Sequence, residues 1–122
     1  MRLSSGVRLH GMPRQISPSE VAVLERTLQV GAIGAIEPSI FPSLRSLQVT
    51  ANCKCGCATV WFGPKGDAAN GRILAEALAT SNGQNISVIV WAEGTAIIGL
   101  EVVGPGSMPL PEVATVRNYS EA

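Results

Sequence analysis

The apolar positions of this chain form one helical stretch, followed by a series of short alternating ones. In residues 16–31, "ISPSEVAVLERTLQVG", Val21, Leu24 and Leu28 recur three and four apart and so share one helical face. Ser17 stands where an N-cap hydroxyl accepts a backbone N–H, and Pro18 suits the first helical position. Glu20 sits where the acid of a capping box reaches back, and Gly31 or Gly34 is the natural stop. This pattern predicts a helix that lays its Val21/Leu24/Leu28 stripe on a sheet.

Residues 1–15, broken by Gly6, Gly11 and Pro13, read as an arm. After the helix, "IEPSIFPS" has two prolines in five residues, which is connector chemistry. "SLRSLQVTA" then alternates, with Leu47, Val49 and Ala51 on one side, and predicts a strand. "CATVWFG" predicts a second, with Ala58, Val60 and Phe62 opposite Thr59 and Trp61. Between them "NCKCG" is short enough for a hairpin loop, with Gly56 free to take positive φ. "GPKGDAANG" reads as a loop.

The segment "RILAEALATSNGQ" satisfies two templates. Ile73 with Ala77 and Leu74 with Leu78 are helical pairs, and Ala, Leu and Glu favour helix. Asn82-Gly83 between apolar runs signals a two-residue hairpin instead. Local pattern alone gives helix a slight edge. A clearer hairpin follows in "NISVIVWA", "EG" and "TAIIGLEVV", whose first arm is apolar on both faces and belongs inside the sheet. "GPGSMPLPE", with three prolines, ends the sheet, and the tail from 116 is expected to wrap an edge.

Taken in order, "SPSEVAVLERTL", "LRSLQV", the Cys-x-Cys-Gly-Cys-x-Thr-Val run, "VIVWAEG" and "GLEVVGPGSMPLPE" resemble a set of small bacterial proteins of unknown function. The resemblance spans roughly residues 16–115 and implies no activity. In such proteins the segment before the Asn-Gly turn is more strand-like, which implies strand for residues 72–79. The expected fold is α+β: one N-terminal helix on a mainly antiparallel sheet of about five strands, in a single domain over 16–115.

Composition narrows the function classes. The 122 residues are 46% hydrophobic but only 15% charged, against a usual ~25%, and the net charge is zero. Such a surface is weakly solubilised, so self-association is expected. It also lacks the cationic character that nucleic-acid binding needs. The start of the chain has arginines and no apolar leader, and the longest apolar tract is interrupted by Glu93, Gly94, Gly99 and Glu101. The reading is a cytoplasmic protein without membrane segments, whose thiols stay reduced.

The chemistry concentrates at Cys53, Cys55 and Cys57, the only cysteines. On a straight strand their side chains would stand ~6.6 Å apart. Ligands of one zinc ion, with Zn–S near ~2.3 Å, must lie within about 4 Å of one another. Only a tip curled around Gly56 brings them together. Structural zinc wants a fourth ligand, whereas Cu(I) accepts fewer thiolates, and the single histidine, His10, lies on the arm. The competing reading, which sequence favours, has Cys55 and Cys57 packed as small hydrophobes and Cys53 capping the turn, with no metal. A redox role lacks the helix N-terminus that usually lowers a thiol pKa.

Catalytic sets are poorly supplied: Asp67 is the one aspartate, and "GPKGDAANG" lacks the Gly-Lys-[Ser/Thr] order of a phosphate loop. Glu93 and Glu101 read as turn and edge-strand solubilisers. Trp61 and Trp91 are the candidate ligand-lining aromatics, with core burial as the commoner fate. The sequence therefore favours a non-enzymatic protein acting through protein contact, as a homo-oligomer. A zinc- or copper-binding module at Cys53–Cys57 is the alternative, and a small-molecule binder or enzyme built on Cys57 and Trp61 comes third.

Overall fold

The computed structural model describes residues 13–121. The 1–12 part of the arm, including His10, lies outside the described residues. The chain runs β1 (Arg14–Gln15), α1 (Pro18–Gly31), a short α2 (Ile40–Ser43), β2 (Gln48–Val49), β3 (Ala51–Asn52), β4 (Val60–Trp61), β5 (Arg72–Ser81), β6 (Gln84–Glu93) and β7 (Ala96–Val103). Strands β3 to β7 form one antiparallel sheet in the order β3-β4-β7-β6-β5, while β1 pairs with β2 apart from it. The architecture is α+β, with α1 packed on the sheet.

Helix α1 begins as its sequence dictates. The Ser17 hydroxyl accepts from Glu20 N, and the Glu20 carboxylate accepts from Ser17 N, closing the capping box. The same carboxylate takes two bonds from the Arg14 guanidinium, at 3.0 and 2.8 Å. Burial alone would push the Glu20 carboxyl up, but Arg14 and the Ser17 N–H outweigh it and hold it below the ordinary range. Stability from a carboxylate lowered in the fold is present at neutral pH and is lost as pH falls through its folded pKa. Glu20→Gln is accordingly expected to destabilise by about 1 kcal/mol near neutrality, as helix caps do, and to match wild type in acid. Chemical denaturation at both pH values reads this, and a difference independent of pH would refute it.

Val21, Val23, Leu24 and Leu28 of α1 are buried against the sheet. Facing them, β5 offers Ala75, Ala77 and Ala79, all fully buried, and β6 offers Ile86, Val88 and Val90. Burying each leucine contributes roughly 1.5–3 kcal/mol. The alanines serve a different end, since small side chains let the helix backbone come close to the strand. The segment with helical propensity is thus a ten-residue strand, joined to β6 by Asn82-Gly83, both at positive φ as a type I′ turn requires.

Four sequence expectations are corrected. The strand expected over 43–51 is broken: Leu44–Ser46 is a 3₁₀ turn, and β2 and β3 belong to different sheets. At the break Thr50 bonds Trp61 O through its N–H and Gly63 O through its hydroxyl, so Thr50 serves as a corner. The second strand shrinks to Val60–Trp61 because Thr59 and Ala58 turn their bonds elsewhere. In the last hairpin Glu93 pairs with Ala96, which moves the turn to Gly94-Thr95. Strand β6 lies inside the sheet as expected, although the central strand is β7. Glu101 therefore stands on the central strand rather than an edge, and accepts from Trp91 Nε1 at 2.8 Å.

The tail does wrap an edge. The outer side of β5 is closed by Ile33 N on Leu74 O, by a two-way bond between Leu78 and Arg117, and by the Thr115 hydroxyl on Thr80. An edge covered in this way cannot template strand addition. The opposite edge, β3, is two residues long and runs straight into the cysteines. No helix among the described residues is long and apolar enough to cross a membrane.

Candidate metal centre

Strands β3 and β4 form a hairpin base, with Ala51 opposite Trp61 and Asn52 opposite Val60. Residues 53–59 close it. Two local features curl this loop. Gly56 adopts φ 89°, open to glycine at little cost, and its N–H bonds Cys53 O at 3.2 Å. In addition, the sulfurs themselves accept backbone N–H groups: Cys53 Sγ from Cys55 N at 3.4 Å and Cys55 Sγ from Cys57 N at 3.3 Å. The chain thus winds around its own thiols.

Partners distant in sequence pin the loop. Thr59 is buried, and its hydroxyl accepts from Val102 N at 2.9 Å, replacing a ladder bond to the central strand. Ala58 N bonds Met108 O at 2.9 Å, and the Ser107 hydroxyl donates to Cys55 O. Residues 107 and 108 follow β7, so the turn after the central strand props up the cysteine loop. Ser107 and Met108 could not be assigned to this site from spacing, because about fifty residues separate them from it.

The three sulfurs lie within 4.8 Å of one another. Thiolates around one ion at ~2.3 Å stand ~3.8 Å apart in a tetrahedron and ~4.0 Å apart in a trigonal plane. A rotation of about an ångström at the sulfurs closes the set around a metal. Cys53 and Cys57 are half-buried and Cys55 is exposed. The turn-capping part of the packing reading holds, since Cys53 accepts the Cys55 N–H. Cys55, by contrast, is exposed and packs against no core, while Cys57 is half-buried.

Proton sharing within the loop is asymmetric. Hydrogen bonding from Cys53, and then from Cys57, whose N–H meets the Cys55 sulfur, brings the Cys55 thiol down to about 7. Donation to Cys55 in turn pushes Cys53 up to about 11. Cys55 is the thiolate of the set near neutral pH. In metal-free protein, iodoacetamide mapped by mass spectrometry is expected to mark Cys55 first, its rate rising through pH about 7 while Cys53 lags. Equal labelling of all three would refute this asymmetry.

Trp61 and Trp91 share one row of the sheet across Gly99, on the face away from α1. Both are half-buried, not core. A Cβ on Gly99 would lie 2.3 Å from the Trp61 ring, so the ring rests on the glycine backbone. Trp61 also lines a cleft next to Cys53, whereas Trp91 is held by Glu101 on its own face. The Cys57 thiol donates to the Thr59 hydroxyl at 3.3 Å, a partner that is not a base. Compared with family models, curated proteins and solved structures, the chain shows no significant match to any of them.

Proposed function

We propose that this protein is a thiolate metal-binding module that holds one soft ion, Cu(I) or Zn(II), through Cys53, Cys55 and Cys57. The observation that carries the reading is the curl of the loop, which gathers three sulfurs within 4.8 Å where an extended strand would keep them apart. Support comes also from the N–H groups that two of the sulfurs accept, because hydrogen bonds to a thiolate favour its charged form. Three ligands suit Cu(I) as they stand, and suit zinc with one further donor. When bound, the ion cross-links the loop and holds the three thiols deprotonated. The test is metal analysis of untagged protein purified without chelator, together with a thiol count on the same sample. Stoichiometric metal with protected thiols supports the proposal, and three free thiols without metal defeat it.

A second reading, self-association, rests on the sheet face away from α1. There Trp61, Leu78, Ile89 and Trp91 are only half-buried, and no second layer among the described residues covers them.

A further inference from the structure

Beside the cysteine loop is a cleft of about 580 Å³, within the ~300–1,000 Å³ usual for small-molecule sites. Its walls include Asn52, Cys53, Lys54, Trp61, Lys65 and Gly66. Lys54 comes from the cysteine loop itself. Lys65 is delivered by the turn that follows β4, where Gly66 N bonds Gly63 O and Gly66, at φ 68°, lies against Ala51. Two cations from separate segments thus converge on one cleft, and no acid is in its lining. Neither lysine is in a salt bridge among the described residues, where the one ion pair joins Arg14 to Glu20. The third wall is Trp61, and the fourth is Cys53 of the proposed metal set.

This combination has a chemical reading. A positive cleft selects an anion, an indole wall packs a short carbon skeleton, and opening onto Cys53 places the occupant beside the ion. We infer that the cleft seats a low-molecular-weight thiol bearing one or two carboxylates, whose sulfur supplies the metal's additional ligand; this rests on the metal-binding reading above. On binding, the thiol releases its proton to solvent and its sulfur donates a lone pair to the ion, with no change of oxidation state. The carboxylates meet Lys54 and Lys65. Metal bound by such a thiol can enter or leave the three-cysteine set by ligand exchange, which a closed four-cysteine site would hinder.

The test uses protein loaded with Co(II), whose thiolate charge-transfer absorption grows with the number of sulfurs bound. Three probes are titrated: mercaptosuccinate, the uncharged thiol 2-mercaptoethanol, and succinate, which has the charge without the sulfur. The comparison is wild type against the K54Q/K65Q double variant, whose side chains are both exposed and outside the metal set. Mercaptosuccinate is expected to raise the absorption by about a third, as three sulfurs become four. Succinate should leave it unchanged. The preference for mercaptosuccinate over 2-mercaptoethanol should fall about 5- to 10-fold in the double variant, the effect of two exposed ion pairs. Cobalt affinity should be the same in both proteins. An unchanged preference overturns the inference, as does metal stripped by mercaptosuccinate without added absorption. Absence of any thiolate band in wild-type protein alone would instead sink the metal-binding reading beneath it.

Discussion

Changing Cys53, Cys55 and Cys57 together to serine is expected to abolish stoichiometric metal binding and to leave the metal-free domain folded. The two outcomes have separate causes. The proposed metal binding rests on the three sulfurs, the candidate ligand atoms that the loop gathers. The loop's attachments depend on other atoms: Cys53 N on Thr59 O, Ala58 N on Met108 O, and the Thr59 hydroxyl on Val102. Serine keeps the backbone and an acceptor oxygen in place of each sulfur, and all three positions lie outside the buried core. Loss of stability in the metal-free state should therefore stay within about 0.5 kcal/mol, as at ordinary surface positions. The wild-type protein should gain about 4 kcal/mol from free metal at a thousandfold excess over its dissociation constant, and the serine variant nothing. Thermal unfolding with and without chelator reads both effects. A wild-type transition that chelator does not move, or a serine variant that still copurifies with metal, defeats the assignment. An unfolded metal-free serine variant would mean that the thiols themselves support the fold.

Gly31→Ala should destabilise the protein by about 3 kcal/mol, the upper end of what overpacking usually costs. Ordinary helix logic gives the opposite sign, because alanine is favoured over glycine inside a helix by about 1 kcal/mol. Gly31 does not take positive φ, so conformation does not require glycine there. Space does. A Cβ at this position would lie 2.2 Å from Glu76 O and 2.7 Å from Glu76 C. Those atoms belong to the backbone of β5, which is held in register with β6 from Ala75 to Ser81 and cannot swing aside as a side chain would. To admit one methyl group, the end of α1 must lift from the sheet, loosening Leu28 and the bond from Ile33 N to Leu74 O. Urea unfolding measures the change. A neutral or stabilised variant would show that helix and strand do not approach this closely.

The candidate site was half legible in the sequence. Three cysteines at alternate positions beside a glycine, between two short apolar runs, located the hairpin tip and named its ligands. The same spacing argued against a metal, because alternate residues on an extended strand lie too far apart. The deciding events were the curl around Gly56 and the N–H bonds to sulfur, which are loop conformation and leave no periodic trace. Lys65 was hidden for another reason. It sits in a stretch that reads as an ordinary loop, and only the pairing of β3 with β4 brings that loop back beside Cys53.

What the sequence determined by itself were the features made of near neighbours. The capping box of α1 joins residues three apart, the Asn82-Gly83 turn joins adjacent ones, and the two-faced apolar run of β6 is a property of one strand. Each is fixed by local sterics and hydrogen bonding, and so can be read along the chain. The tertiary structure decided whatever depended on what lies opposite. Ala75, Ala77 and Ala79 look like helix formers until α1 is placed over them, when their small size becomes the reason for their presence. Gly31 looks like a helix stop until Glu76 of β5 comes within 2.2 Å of its missing Cβ. The run ending at Ala51 looks like one strand until Thr50 turns it from one sheet to the other. In each case one residue type meets two local needs equally well, and close packing against a remote segment selects between them.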